Sequence, residues 1–136
     1  DILYNLVKSN FVPVISPLGY NDKSRDIDSE GILNINADSV ASKIAIETKA
    51  KKVIYQTDVD GVIDQNGRVI PKMTLSQSKE LLNSGIITGG MIPKLQSCID
   101  ALDSGVDHGH IINANDDSLI NLFKGNKIGT HIIRES

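Results

Sequence analysis

The segment IITGGMIPKLQSCIDALDSGVDHGHII, residues 86–112, decides the fold class. Its central apolar residues recur at the spacing of one helix face: Leu95, Cys98, Ile99 and Leu102. We expect a helix from about residue 91 to 104, because Gly105 then ends the pattern, and a buried strand over residues 108–112. A glycine turn, a helix and a buried strand in this order indicate an α/β protein.

The same alternation continues in both directions along the chain. Apolar runs predict further strands over residues 12–16, 32–36, 53–55 and 128–133. Helical spacing predicts helices over residues 2–7, 37–48, 74–84 and 118–123, the third of them opened by a capping box. Asn66-Gly67 predicts a two-residue hairpin turn, and residues 19–31 are expected to form a polar loop. The pattern predicts a three-layer αβα sandwich with a mainly parallel sheet, helices on both faces and a β-hairpin.

Composition limits the classes of function. The 136 residues fit one domain, and 40% of them are hydrophobic and 23% charged, as in ordinary soluble α/β proteins. A net charge of -3 provides no basic field, so we expect no nucleic-acid partner. No apolar run reaches the length of a membrane span, so we expect no membrane partner. The one cysteine, Cys98, cannot pair within the chain, which favours a reducing, cytoplasmic compartment and a core position.

The turn before the central helix, Thr88-Gly89-Gly90-Met91-Ile92-Pro93-Lys94, is the first candidate site. Two glycines let the backbone approach a ligand, and Pro93 suits a first helical turn, where its missing N–H is not needed. Lys94 is unexpected there, because a cation in the first turn opposes the helix dipole by about 0.3–1 kcal/mol. A bound phosphate would reverse that penalty. A lysine that extends into water is the alternative, and this segment alone does not decide between them.

Polar side chains converge at a second place, Asn34-Ile35-Asn36-Ala37-Asp38, where a predicted strand meets a helix. Asn34 and Asn36 fall on one side of the strand, whereas Leu33 and Ile35 are expected to face the core. Such junctions commonly bind ligands in open α/β sheets. The alternative is that Asn36 caps the helix and Asp38 interacts with its dipole, which leaves Asn34 without a role.

A third polar stretch, Gln56-Thr57-Asp58-Val59-Asp60-Gly61-Val62, directly follows the predicted strand 53–55. Polar residues and a glycine at this end of a strand lie in the crevice where nucleotides bind. The stretch also resembles a calcium loop, but the register places Gln56 at the first ligand position and Gly67 at the twelfth, where glutamate is required. Calcium is therefore excluded, and an ordinary exit from strand to turn remains the alternative.

His108 and His110 lie two positions apart on the predicted strand 108–112. They lack a third ligand at metal-binding spacing, so a structural role is favoured over a metal site. We therefore assign no metal ligands.

In this order, the three polar stretches resemble the acetylglutamate kinases, a branch of the amino-acid kinase family. The resemblance covers nearly the whole chain and includes Val12-Pro13-Val14-Ile15-Ser16-Pro17 and Ile128-Gly129-Thr130. The asparagine-rich junction together with the Gly-Gly-Met-Ile-Pro-Lys turn is specific to this branch. The resemblance implies an amino-acid kinase fold in which residues 1–136 form the ATP-binding, carboxy-terminal half of a longer kinase, with the amino-terminal acceptor-binding half absent.

The resemblance also implies a reaction: transfer of the γ-phosphoryl group of ATP to the side-chain carboxylate of N-acetyl-L-glutamate, a step of arginine synthesis. It makes Lys94 a stabiliser of charge on the transferring group, makes Asp38 the organiser of the catalytic lysines, and assigns Asn34 and Asn36 to the acetylglutamate. The nucleotide is assigned to two stretches: Thr57, Asp58, Val59, Asp60, Gly61 and Val62, and Ile87, Thr88 and Gly89. Mg²⁺ is expected on the ATP phosphates and not in a cage of protein ligands. The longer protein is expected to be a homo-oligomer.

Two alternatives stay open. The family's other catalytic lysine and its glycine-rich phosphate loop belong to the amino-terminal half, so this chain alone is expected to bind nucleotide without turnover, or to be a non-catalytic regulatory subunit. A related kinase acting on aspartate, glutamate or carbamate is the other alternative, although residues 34–38 favour acetylglutamate. Asn121 stands where arginine-sensitive members carry a glutamate, which leaves arginine feedback open.

Overall fold

The computed structural model describes residues 2–21 and 31–135. Residues 22–30, most of the polar loop expected at 19–31, lie outside these ranges, and Gly19 and Tyr20 belong to a strand instead of a loop. In chain order the elements are α1 (Ile2–Lys8), β1 (Leu18–Tyr20), β2 (Ile32–Asn34), α2 (Ala37–Glu47), β3 (Lys52–Thr57), β4 (Lys72–Thr74), α3 (Leu75–Asn83), α4 (Met91–Asp103), β5 (His108–Asn113), α5 (Ser118–Phe123) and β6 (Thr130–Ile133). All five predicted helices are confirmed, each to within a residue of its expected ends. None of the helices in these two ranges is long and apolar enough to cross a membrane.

A four-stranded sheet in the order β3-β5-β6-β4 forms the centre of the fold. β3 runs parallel to β5 and β4 parallel to β6, whereas β5 and β6 are antiparallel. Helices α2 and α4 pack on one face of this sheet, with α3 beside α4. On the other face α5 packs against β5, and Leu122 of α5 lines a cavity together with His110 and His131. The α/β class and the mainly parallel sheet are therefore confirmed.

The hydrophobic core lies between the sheet and α4. The helix face predicted from the sequence is confirmed, since its residues are at most 3% exposed: Leu95, Cys98, Ile99 and Leu102. Gly109 on β5 lies directly beneath this face, and a Cβ at Gly109 would overlap Cys98 Sγ. The missing side chain thus lets helix and sheet approach closely.

The prediction of a strand over residues 12–16 is wrong. Val12 is 87% exposed and Val14 95% exposed, and this segment pairs with no strand in the described parts of the chain. Leu33 and Ile35, expected in the core, are 47% and 40% exposed because β2 pairs only with β1, in a two-stranded antiparallel ribbon separate from the central sheet. The apolar residues between positions 12 and 35 suggest a buried segment, but the described residues do not cover them.

The hairpin predicted at Asn66-Gly67 is present, but its turn is different from the predicted one. Ile63 bridges Val69, and Asp64 N–H donates to the carbonyl of Arg68. A two-residue type I′ turn requires positive φ at both central residues, yet only Gly67, at φ 76°, has one. Asp64 Oδ1 accepts N–H bonds from residues 66 and 68, which supports a three-residue loop ending in a left-handed glycine.

Candidate functional site

The first turns of α2 and α4 bring Asp38 and Lys94 together across 56 residues of sequence. Lys94 Nζ lies 3.1 Å from each carboxylate oxygen of Asp38. Both side chains are partly shielded, at 21% and 16% exposure, so solvent screens this pair less than an open surface pair. The carboxylate offsets the unfavourable position of a cation near a helix N-terminus. The two residues predicted to be catalytic are therefore neighbours.

Asn36 is the N-cap of α2. Its Oδ1 accepts N–H bonds from Asp38 at 2.9 Å and Ser39 at 3.1 Å, which confirms the capping interpretation. The cap fixes the backbone that carries Asp38 and leaves the Asn36 side-chain NH₂ outside these two bonds. Asn34 ends β2, where it is exposed opposite Leu18 of β1. The contact of both asparagines with an acceptor substrate stays a prediction.

Residues 57–62, the third polar stretch, form a turn that leaves the end of β3, and we refer to them as the 57–62 turn. Thr57 is buried, and its hydroxyl donates to Asp58 Oδ1 at 3.1 Å. Val62, at the other end, is 0% exposed. Asp60 is exposed but accepts a hydrogen bond from Asn113 Nδ2 at 2.9 Å. The turn is therefore anchored at both ends and in its middle.

A cavity of about 310 Å³ separates the 57–62 turn from the segment that precedes α4. Its lining is mostly apolar and comes from both predicted nucleotide stretches and the hairpin: Val59, Gly61, Ile63, Asp64, Ile86, Ile87, Thr88 and Met91. The volume is at the lower end of the range of small-molecule sites. Segments separated by about 25 residues in the sequence thus face one another across one space.

Other predicted nucleotide residues do not line this cavity: Thr57, Asp58, Asp60, Val62 and Gly89. The Lys94–Asp38 pair is also outside its lining. Ile87 is 6% exposed and belongs to the core cluster, so its side chain is committed largely to packing. Gly89 adopts φ 59°, and nothing lies within 4 Å of a Cβ built there. Glycine is needed at that position for its left-handed backbone and not for close packing.

Asn113 and Thr130 contact the 57–62 turn, although sequence reasoning did not assign them to the site. Thr130 Oγ1 accepts the Val62 N–H at 2.8 Å, in a buried hydrogen bond that spans 68 residues. Asn113 is the polar residue that ends β5, next to Thr57 in the parallel register. Its position at a strand end is a sequence signal that could have identified this role, whereas the Thr130 contact depends on the order of the strands.

The three histidines cluster on the sheet face opposite α4. His131 Nε2 lies 3.2 Å from His108 Nδ1, and the rings of His110 and His131 stack at 4.3 Å between centroids. Burial, and then the nearby His131, Lys52 and His108, lower the pKa of His110 to about 4. Within residues 2–21 and 31–135, no group of three or more His, Cys, Asp or Glu is arranged to hold a metal ion.

Comparison with known proteins identifies relatives of this chain. The chain is 42% identical over 137 residues to acetylglutamate kinase of Wolinella succinogenes, covering 99% of this chain and 47% of that protein. It is 42% identical over 135 residues to acetylglutamate kinase of Methanococcus maripaludis, covering 96% of this chain and 44% of that protein. The chain thus spans about half the length of these curated relatives.

Solved structures share the fold. N-acetylglutamate synthase from Neisseria gonorrhoeae superposes with a TM-score of 0.86 at 25% identity, over 99% of this chain and 30% of that one. Carbamate kinase from Giardia superposes with a TM-score of 0.77 at 20% identity, over 98% of this chain and 47% of that one, which supports the fold alone. The sequence profile of the amino acid kinase family matches residues 1–113. The chain therefore belongs to the amino acid kinase family.

Proposed function

We propose that the chain is the nucleotide-binding, carboxy-terminal half of an acetylglutamate kinase, which transfers the γ-phosphoryl group of ATP to the side-chain carboxylate of N-acetyl-L-glutamate. The observation that carries the proposal is the contact of Lys94 with both oxygens of Asp38 at 3.1 Å. It unites two of the three polar stretches at the first turns of two helices, where N–H groups and a cation favour phosphate.

Phosphoryl transfer asks little covalent chemistry of a protein. It needs the reactants to be positioned and the charge on the equatorial oxygens to be stabilised. Lys94 provides a cation that stabilises this charge. Asp38 holds the Lys94 ammonium group in place before the phosphate binds. A carboxylate acceptor is itself the nucleophile, so the reaction requires no nucleophilic side chain.

The cavity beside the 57–62 turn fits the base of the nucleotide. Ile63, Ile86 and Met91 give it apolar walls, and Gly61 contributes backbone without a side chain. We expect Mg²⁺ to reach the site together with the ATP phosphates, whose negative charge it would neutralise. In that arrangement the protein contributes Lys94 and backbone N–H groups to the phosphates.

The identity of the acceptor substrate is the more specific part of the proposal. Both curated relatives described above carry the name acetylglutamate kinase, and Asn34 and Asn36 lie on the strand-to-helix junction next to Asp38. An aspartate, glutamate or carbamate kinase is the alternative within this class. A panel of these acceptors, assayed with the complete enzyme by trapping the acyl phosphate with hydroxylamine, separates the possibilities. We also propose that the complete protein is a cytoplasmic homo-oligomer.

Titration of a non-hydrolysable ATP analogue into the chain by calorimetry tests the nucleotide site. Lys94→Ala removes one charge-assisted contact to the γ-phosphate, so we expect the affinity for the analogue to fall by about 1.5–3 kcal/mol. Lys79→Ala is the matched control, because Lys79 also pairs with a carboxylate, Asp103, at 2.8 Å but lies on α3. Equal affinity for the analogue in wild type and Lys94→Ala would remove Lys94 from the phosphate site.

The longer reading frame decides between an enzyme and a regulatory subunit. The chain spans about half the length of its curated relatives, and a non-catalytic nucleotide-binding subunit is the second candidate. A glycine-rich loop and a lysine encoded upstream favour catalysis, and the complete protein then forms acyl phosphate from ATP and N-acetylglutamate. Nucleotide binding without turnover by the complete protein supports the subunit.

A further inference from the structure

Three hydrogen bonds from β5, β6 or the residue that follows β5 hold the 57–62 turn, and Ile70 N–H also donates to the carbonyl of Val62 at 2.8 Å. Ala114 N–H donates to the carbonyl of Thr57 at 2.7 Å. Asn113 Nδ2 donates to Asp60 Oδ1 at 2.9 Å. Val62 N–H donates to Thr130 Oγ1 at 2.8 Å. The Ala114 and Ile70 contacts use backbone alone, whereas the other two depend on the identities of Asn113 and Thr130.

The Thr130 contact is the buried one. Thr130 and Val62 are both 0% exposed, so water cannot replace the hydroxyl as a partner for the Val62 N–H. The site is also closely packed, because a Cβ at Gly61 would lie 2.8 Å from Thr130 Oγ1 and 3.1 Å from the carbonyl carbon of Gly129. This close packing fixes the position of the 57–62 turn relative to the start of β6.

The same turn forms one wall of the cavity. Gly61 lies between the points held by Asn113 and Thr130, and Val59 directly precedes the point held by Asn113; both face Thr88 and Met91 across the space. A shift of the turn would therefore change the width of the cavity. A ligand that bridges the two walls gains affinity when neither wall has to be ordered on binding.

We propose that Thr130 and Asn113 are positioning residues for the nucleotide. Neither lines the cavity, and each acts through the 57–62 turn. The inference rests on the proposed function, since it takes the occupant of the cavity to be a nucleoside phosphate. Thr130 is the stronger of the two, because its hydrogen bond is buried and the Asn113 bond is exposed.

Thr130→Val keeps the shape of the side chain and removes the acceptor, which leaves a buried N–H without a partner. We expect ADP to bind this variant about tenfold more weakly by calorimetry. Thr130→Ser restores the acceptor and should bind ADP within about threefold of wild type. Thr48→Val is the matched control, since the Thr48 hydroxyl only donates to Ile44 O in α2. Amide hydrogen exchange at residues 57–62 should rise in Thr130→Val and not in Thr48→Val.

Asn113→Ala is the second variant, and it remains informative where Thr130→Val does not fold. It removes the exposed hydrogen bond to Asp60 and also the bond that Asn113 Oδ1 accepts from the Asn115 N–H, so we expect about threefold weaker ADP binding in a folded chain. A merely structural role would lower the folded fraction, seen as calorimetric stoichiometry, without changing the affinity of the folded chain. If wild type binds ADP and both Thr130→Val and Asn113→Ala bind it with wild-type affinity, the inference fails and the proposed function stands. If wild type binds no ADP even at millimolar concentration, both fail.

Discussion

His110 is a buried residue, at 5% exposure, whose two ring nitrogens find no hydrogen-bond partner among the described residues. Burial, together with His131, Lys52 and His108, holds its folded-state pKa at about 4, below the unfolded value of about 6.5. The unfolded chain therefore binds a proton that the folded chain does not as the pH falls below 6.5. Stability conferred by neutral His110 is complete above that pH and is lost between about 6.5 and 4.

For this residue we expect the free energy of unfolding to fall by about 1.4 kcal/mol between pH 7.5 and 5.5. Burial also lowers the pKa of His131, which adds in the same direction. Urea unfolding at the two pH values measures the loss, and His110→Leu should remove the His110 share of it. An unchanged pH dependence in His110→Leu would show that His110 titrates normally in the folded state.

Gly129 and Gly67 offer a comparison of two left-handed glycines. Both have positive φ, 62° and 76°, so alanine is strained at either position. Only at Gly129 would the new Cβ also overlap backbone, at Ile111 O, and lie 2.8 Å from Ile112 Cγ2. We expect Gly67→Ala to lower the free energy of unfolding by about 1 kcal/mol and Gly129→Ala by about 3 kcal/mol or more. Chemical denaturation of both variants checks this, and equal losses would contradict the packing argument.

At the scale of secondary structure, α2 depends on Asn36 at its N-terminus. Because its Oδ1 accepts two backbone N–H bonds, we expect Asn36→Ala to lower the free energy of unfolding by about 1 kcal/mol. Asn36→Ser keeps a capping oxygen and should recover most of that stability. If Asn36→Ser restores stability in urea unfolding but the complete enzyme still has a raised KM for its acceptor, the amide has a second, substrate-binding role. Failure of serine to restore stability would contradict the capping account.

How far the elements could be predicted depends on whether their cause is local. The buried face of α4 and the capping box at Thr74 and Gln77 were predictable because both signals lie within one helix or its first turn. The strand expected at residues 12–16 was not, since strand formation requires a partner and the apolar pattern cannot name one. Lys94 and Asp38 were each recognisable by type, but their 3.1 Å contact follows from how α2 and α4 pack.

For the molecule as a whole, the distribution of exposed apolar side chains is uneven. Twelve large ones lie between residues 2 and 35: Ile2, Tyr4, Val7, Phe11, Val12, Val14, Ile15, Leu18, Tyr20, Ile32, Leu33 and Ile35. A groove of about 560 Å³ between α1 and α2 adds to the same region. Exposed apolar side chains concentrated in one part of the chain are typical of an interaction site. Under the proposed function, we expect the acceptor-binding half of the same kinase to cover these side chains.

This assignment predicts different amide exchange in two forms of the protein. In the 136-residue chain, the amides of Val12 and of residues 14–16 (residue 13 is proline and has no N–H) have no strand partner in the described structure and should exchange with solvent rapidly. In the complete kinase a strand of the other half should pair with this segment, so we expect exchange there to slow by about a hundredfold or more. Residues 95–102 of α4 are the internal control, because they are buried in the core of this chain and should be protected in both forms. Rapid exchange at 12–16 in a complete protein that turns over N-acetylglutamate would mean that the two halves meet elsewhere.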